Sequence, residues 1–474
     1  MNHHNLDTHE SSPVPPPSTP DRSTTLTRRR FVASGVLAGL GATAGLSLPG
    51  VSARGAAPGD KLVVGVMGIG GRGTQLTQFF AKRPDVEIAY LCDVNQQRFA
   101  SVAKMVEDLQ GRKPKLVGDF RRILEDPRVD AVVNATPEHW HAVSTIMACQ
   151  AGKDVYVEKC AAHNIWEGRK LIEAVRKYKR VVQVGMQTRS APYGRSALEL
   201  IRQEKFGKVH LVRVYNMLGG RGRLVRGPDV PAPQGLDWDM WLGPAALRPY
   251  NPACLSRLFW DLDGGSLTGD TVHQLDLARW VIGKGMPKSV QHTGGKYCFP
   301  DDDSEQPDTR LITYDYGDLT LVVEHTEWTS YMKKIDPAVR DGKELPEWYP
   351  FIGTKIELYG TRGMMILGRV GGGWQIYGPN GEKGPWEKST HTQMQLDHVD
   401  DFVRCVRSRE RPHADIEEGH ISGALCHMAS IAYRVGNRKL NFDAATDTFP
   451  GDDEANRYLR RSPQRAPWVI AERV

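Results

Sequence analysis

Leu62-Val63-Val64-Gly65-Val66-Met67 running straight into Gly68-Ile69-Gly70-Gly71-Arg72-Gly73 is the stretch that decides the fold. A short, almost wholly apolar run of this kind fits a strand buried in a parallel sheet. The glycines that follow have the Gly-x-Gly-x-x-Gly spacing, and Thr74 to Ala81 reads as a helix. In that setting Gly68 permits a tight turn, Gly70 lets the backbone approach a pyrophosphate, and Gly73 lets helix pack on strand. The helix N-terminus then turns free N–H groups toward phosphate. Gly68, Ile69, Gly70, Gly71, Arg72 and Gly73 are therefore candidate dinucleotide-binding residues. A second strand, Val86 to Leu91, leads to Asp93, 20 residues past Gly73. A carboxylate there accepts hydrogen bonds from the adenosine ribose and repels a 2′-phosphate, which favours NAD over NADP.

The strand-and-helix rhythm continues outward from this unit. Val129 to Ala135 reads as a strand, with a helix from Thr136-Pro137-Glu138-His139-Trp140-His141 to about Ala151. Asp154 to Val157 is the next strand and ends at Glu158-Lys159-Cys160; a helix over Asn164 to Tyr178 and a strand over Val181 to Gly185 follow. Alternation of this kind predicts an α/β fold with a doubly wound parallel sheet, and such sheets bind ligands at the carboxyl ends of their strands. Gly68, Asp93, Thr136, Glu158 and Gln187 all fall at such ends. His139 and His141 form a His-x-His pair, but no further ligand stands nearby, so capping and cofactor packing are favoured and no metal is expected.

With these segments in view, the chain resembles the Gfo/Idh/MocA oxidoreductases. The resemblance rests on Gly68–Gly73, Cys92-Asp93-Val94-Asn95, Ala135–His141 and Ala151–Cys160. It implies that Lys159 is the catalytic lysine and that Glu158, Thr136, Pro137 and His141 lie at the cofactor. The family usually has Glu-Lys-Pro where this chain has Glu158-Lys159-Cys160, so the local turn, often cis in the family, is open. Oxidising an alcohol requires removing its O–H proton while hydride leaves carbon, and a lysine at the reacting hydroxyl suits that task.

Beyond residue 188 the pattern changes. Strands are expected at Leu211–Asn216, Lys288–Gln291, Leu311–Tyr316, Leu319–Glu324 and Lys355–Tyr359, in a large, mostly antiparallel open sheet. An aromatic-rich irregular stretch starts at Trp238. Gly264-Gly265 precedes a segment that reads as a helix from Gly269 to near Gly283, and another helix is expected over Glu418 to Val435. His273, Asp276 and Trp280 fall in register with the family motif, which makes His273 the acid/base partner of Lys159. The family's first Asp would fall on Gly269; either Asp270 fills that catalytic role after a small helix adjustment or the role is vacant. Asp276 is read equally as a helix-face ion pair and as a functional residue. The resemblance also implies a homo-oligomer built through the open sheet.

Residues 1–57 form a separate unit. The polar leader to residue 26 has little apolar surface to bury and is expected to be disordered. Thr27-Arg28-Arg29-Arg30-Phe31 and the mildly apolar, glycine-rich stretch to Val51 resemble a twin-arginine export signal, cleaved after Ala53 or Ala57 or left as a membrane tether. The expected partner is the twin-arginine export machinery, and the expected place is the periplasm. The organisation is thus 1–57 leader, 58–188 NAD-binding domain, and 189–474 substrate-binding and oligomerisation domain.

Composition excludes other classes. A net charge of +6 over 474 residues, with no basic run interleaved with aromatics, argues against nucleic-acid binding. Seven scattered cysteines without a Cys-x-x-Cys pair read as buried thiols, not a disulfide framework. The expected activity is NAD(P)-dependent oxidation or reduction of a sugar, polyol or glycoside. The first alternative is a redox-neutral glycosidase, lyase or epimerase that oxidises its sugar transiently and keeps NAD tightly bound. The second is a sugar-binding protein of the same fold without catalysis.

Overall fold

The computed structural model describes residues 61–219, 222–256, 258–329, 340–369 and 372–474. The leader, the export signal and its cleavage sites lie outside the described residues. Six parallel strands make the first sheet: β1 (Leu62–Met67), β2 (Val86–Cys92), β3 (Lys115–Val117), β4 (Ala131–Asn134), β5 (Asp154–Val157) and β6 (Val182–Val184). Their order is β3-β2-β1-β4-β5-β6. The order reverses between β1 and β4, and that switch point is where doubly wound sheets hold ligands. The strands are buried on both faces, which is why Leu62–Met67 and Ala131–Asn134 read as apolar runs and not as alternating ones.

The helix after β1 spans Gly71–Ala81, so it begins inside the glycine motif and not at Thr74. Its cap residue, Gly70, makes no side-chain capping bond, and its first turn carries no acid. The N-terminal N–H groups are left for a ligand. Gly68 has φ +77°, where a side chain is disfavoured, and a methyl group on Gly73 would stand 1.8 Å from the Gly68 carbonyl oxygen. These two glycines hold helix and strand closer than any other residue allows.

The second sheet has nine strands: β7 (Val209–Met217), β8 (Ser289–Gly295), β9 (Thr309–Asp315), β10 (Thr320–Thr326), β11 (Lys355–Gly360), β12 (Gly363–Gly368), β13 (Gly373–Tyr377), β14 (Lys383–Lys388) and β15 (Leu440–Asn441). They run in the order β14-β13-β12-β11-β7-β10-β9-β8-β15, antiparallel throughout except for β7 against β10. Strands β9 and β10 alternate buried and more exposed residues, as expected of a sheet covered on one face. The helices Val272–Val281 and Ile416–Arg434 supply the cover, with Leu275, Leu425 and Met428 packed among Val214, Leu321 and Ile356.

Several elements differ from the sequence expectation. Strands β12 to β14 and the Pro192–Arg202 helix were not anticipated, and the expected irregular stretch contains a short helix at Trp238–Leu242. The segment expected to be helical from Gly269 begins instead as a π-turn over Leu267–Thr271, followed by the α-helix from Val272. The helix His391–Ser408 returns from the second half to the first. Its Val399, Phe402 and Val406 lie in one core with Val64, Phe80 and Tyr156. Phe402 meets Phe80 and Tyr156 edge-on at ring-centroid distances of 6.0 and 5.9 Å. This helix therefore packs in the first core although it lies far beyond residue 188 in the chain. Among the described residues no helix is long and apolar enough to cross a membrane, and six of the seven cysteines are buried, Cys298 being exposed.

Candidate active site

Two cavities meet at the β1/β4 switch point. A groove of about 270 Å³ runs along Gly68, Gly70, Gly71, Gly73, Asp93, Thr136 and Pro137. Arg72, Ala135, Thr136 and Asp263 belong both to it and to an adjoining cavity of about 340 Å³. That adjoining cavity is lined by Glu158, Lys159, Gln187, His273 and His141. The groove is long, glycine-floored and ends at a helix N-terminus, while the cavity beyond it is polar and holds the titratable groups. This is the layout a dinucleotide and a small substrate require.

Asp93 is buried and accepts from the backbone N–H groups of Ile69 (2.9 Å) and Asn95 (2.8 Å), which ties the glycine turn to the end of β2. Arg98 also reaches its carboxylate at 3.2 Å. Glu158 is buried and pairs with Arg72 Nε at 2.8 Å. Burial alone would raise its carboxyl, but Arg72 and then Lys159 overrule that and hold it below the usual range. Gln187 donates to Tyr156 (3.1 Å) and Glu158 (3.4 Å), and Thr136 Oγ1 donates to Asn134 at 2.7 Å. His141 bridges two strand-end turns, with Nδ1 at 2.5 Å from Cys160 O and Nε2 at 2.8 Å from Thr136 O. The imidazole of His139 points away, to Leu262 O and Trp241 O, and burial pushes it down to about 3. The His-x-His pair therefore binds backbone carbonyls on four different segments.

Lys159 Nζ donates to Gly269 O at 2.6 Å, across the cavity wall that His273 also lines. The Lys159–Cys160 peptide is cis although no proline is present. The sequence leaves open whether Asp270 fills the family's catalytic place or that place is vacant. The π-turn at Leu267–Thr271 carries its carboxylate to Arg369 Nη1, 2.6 Å away, and Asp270 is not among the residues lining the cavity. Arg369 does line it, so Asp270 meets the cavity wall through its ion pair with Arg369. Asp276 is likewise outside the cavity, held two-pronged by Arg189.

Several cavity residues escaped the sequence reading. Arg340, Arg369, His391 and Gln395 come from segments some 200 residues beyond Lys159, and only the fold brings them in. Glu138 and Asp263 both line the cavity; burial, then the neighbouring Asp263, raise the Glu138 carboxyl well above its ordinary range. Glu138 lay in plain view within Ala135–His141, but its neighbour on the Gly264 loop did not. A strap formed by residues 235–242 crosses the groove. Gln96 N–H donates to Gly235 O (2.9 Å), Asp237 N–H to Val94 O (2.9 Å), and Trp140 Nε1 to Met240 O (3.1 Å) and Trp241 O (3.0 Å).

Fold and site together define an oxidoreductase of the NAD-binding Rossmann class. Residues 62–186 match the family described as "Oxidoreductase family, NAD-binding Rossmann fold", and residues 220–334 and 387–470 match its "C-terminal alpha/beta domain". The chain belongs to the Gfo/Idh/MocA oxidoreductase family. Among curated relatives it is similar to the uncharacterized oxidoreductase YrbE of Bacillus subtilis (strain 168), 24% identical over 47% of this chain and 54% of that protein. It is also similar to a glycosyl hydrolase family 109 protein of Stenotrophomonas maltophilia (strain K279a), 31% identical over 34% of this chain and 37% of that protein. The chain thus spans about half or less of the length of these relatives. In fold it is similar to the solved levoglucosan dehydrogenase in complex with NADH and levoglucosan, with a TM-score of 0.60 and 16% identity over 81% of this chain and 99% of that one.

Proposed function

We propose that this protein is an NAD-dependent oxidoreductase acting on a small carbohydrate, a sugar, polyol or glycoside, by hydride transfer at a carbinol carbon. The observation that carries the reading is the confluence of the glycine-floored groove with a polar cavity lined by both Lys159 and His273. Gly68 to Gly73, with Asp93, Thr136, Pro137, Glu158 and Gln187 beside them, would hold the dinucleotide. The fit is supported by the uncapped helix end at Gly70 and by the close approach of Gly73 to Gly68. When bound, NAD supplies the hydride acceptor and donor. Lys159 takes the proton of the reacting hydroxyl, and His273 hydrogen-bonds the same oxygen. Asp270 positions Arg369, and Arg369, Arg340 and Gln395 offer hydrogen bonds to the remaining hydroxyls, as a polyhydroxylated substrate needs.

A second reading is favoured by the strap. It is tied to the segments after β2 and β4 and sets Met240 and Trp241 on the groove wall, where they would help to retain a dinucleotide. Retained NAD suits a redox-neutral reaction, in which the sugar is oxidised, eliminated or epimerised, and reduced again in place. The similarity to glycosyl hydrolase family 109 proteins points the same way. Export by the twin-arginine route, which carries folded proteins, would also require the cofactor to travel inside. Copies of the chain would associate through the half-exposed face of the nine-stranded sheet.

A panel of sugars, polyols and glycosides tests both readings, with nicotinamide absorbance and sugar release followed in parallel. Net absorbance change with a polyol supports the first; release without net change supports the second. Lys159→Ala is expected to slow either by about 10²–10⁴-fold. Full turnover in that variant would refute the proposed chemistry.

A further inference from the structure

A third cavity, of about 280 Å³, shares the Asp261–Gly264 segment with the active site. Its walls are His163, Ser430 and Arg434 of the Ile416–Arg434 helix, and the stretch from Arg457 to Ser462. The charge here is one-sided. Arg434, Arg457, Arg460 and Arg461 line it against a single carboxylate, Asp261, which already pairs with Arg248. Arg460 is taken by Glu472 at 2.7 Å, but Arg457 has no ion pair among the described residues. Arg461 makes only long contacts: 3.4 Å to Glu167 and 3.5 Å to the carbonyls of Asp261 and His139. Arg434 is spent on the aromatic wall, 3.9 Å from the Tyr458 ring centroid and 5.2 Å from that of Trp260.

Two polar atoms in this wall are buried without a partner, Ser430 Oγ and His163 Nδ1. Ser430 is only 7% exposed. Buried hydroxyl and imidazole groups almost always find hydrogen-bond partners in folded proteins, so a pair of orphans at one cavity marks a place where a partner is to be supplied. Burial, then Arg461, keep His163 well below its ordinary range, against a backbone bond to Trp260 that favours its charged form. A metal cation finds no ligand set here, and a neutral sugar would leave the guanidinium charge unanswered. An oxyanion answers all four groups at once, because guanidinium binds phosphate or carboxylate with two parallel hydrogen bonds and the hydroxyl donates to a remaining oxygen.

We propose that this cavity binds one small organic oxyanion, a phosphate ester or a sugar acid, with Arg457 and Arg461 taking the charge and Ser430 and His163 the oxygens. The volume is enough for a monosaccharide-sized ligand and too small for a polymer.

The test is calorimetric titration of the full chain, at low salt, with glucose 6-phosphate and with glucuronate. Saturable binding of one equivalent is expected for at least one of them, and the stronger of the two identifies which oxyanion the site takes. Arg457→Ala is expected to weaken that binding about tenfold or more, and Arg340→Ala, on the active-site wall, to leave it unchanged. Ser430→Ala supplies the fold-independent check. Because it removes an unsatisfied hydroxyl, it is expected to keep or raise the melting temperature while weakening the probe several-fold. Absence of saturable binding with both probes, or binding that Arg340→Ala abolishes and Arg457→Ala spares, would overturn the proposal.

Discussion

Asp276→Asn separates a structural from a chemical role for a residue that the family motif places beside His273. Arg189 grips the Asp276 carboxylate through Nε at 3.0 Å to both oxygens and through Nη2 at 2.8 Å, and Ser422 Oγ adds a bond of 2.6 Å. The two charged side chains are 2% and 1% exposed. Glu418 also accepts from Arg189 at 2.9 Å and shares its carboxylate with Arg279, and the Arg189 guanidinium lies 5.4 Å from the Trp280 ring centroid. Two buried arginines are thus balanced by two carboxylates. Removing one charge leaves Arg189 and Arg279 competing for Glu418 alone, and breaking a buried pair in this way costs about 3–5 kcal/mol. With a urea slope of about 3 kcal/mol per M, the unfolding midpoint falls by about 1 M or more. The double variant Asp276→Leu with Arg189→Met removes both charges and is expected to recover most of that loss. Urea titration followed by tryptophan fluorescence measures the midpoint, and NAD titration below the transition checks the site. An unchanged midpoint together with lost turnover would refute the reasoning and move Asp276 into the chemistry.

Gly73→Ala forces a methyl group to 1.8 Å from the Gly68 carbonyl; overpacking of about 1–3 kcal/mol, relieved by opening the turn, is expected to weaken NAD about 10–100-fold in an equilibrium titration. The Glu138 carboxyl, raised by burial and by Asp263, holds its proton in the folded chain at pH values where the unfolded chain has lost it. Stability from this group is therefore full below the unfolded value and falls as pH rises from about 5 through the folded value; melting curves should show that decline, and Glu138→Gln should flatten it. His139→Ala removes the imidazole that meets Trp241 O and Leu262 O beneath the strap; at about 1 kcal/mol per hydrogen bond, loss of the dinucleotide on gel filtration should speed up several-fold or more, and an unchanged rate would show that the strap does not retain it.

The legible part of the site is the part written locally. Gly68 to Gly73, Asp93, Thr136, Glu158 and Lys159 each end a strand or open a helix, so their spacing and their spatial neighbourhood are set by the same short segments. Arg340, Arg369, His391 and Gln395 carry no local signature, because a solvated charge and a cavity-lining charge look alike until the chain is folded. Asp270 marks a different limit. A π-turn absorbs one extra residue, and no periodicity reveals it, so the sequence leaves open whether Asp270 fills the family's acid position, while the structure pairs its carboxylate with Arg369. In the His391–Ser408 helix the apolar spacing Val399, Phe402, Val403, Val406 is plain in the sequence. Its destination, the far face of the first sheet against Phe80 and Tyr156, is not, since amphipathic helices announce a buried face without naming the partner. Strands β12 to β14 pass unnoticed because glycines and prolines break their alternation.

The most direct measurement is the dinucleotide content of the purified full chain, prepared without added cofactor, denatured, and assayed enzymatically for NAD(H) and NADP(H) separately. A groove with Asp93 at its ribose end, closed by the 235–242 strap, should release close to one equivalent of NAD(H) and essentially no NADP(H). A chain that arrives empty and binds neither dinucleotide when supplied would contradict the reading of Gly68 to Gly73, and with it the chemistry assigned to Lys159 and His273.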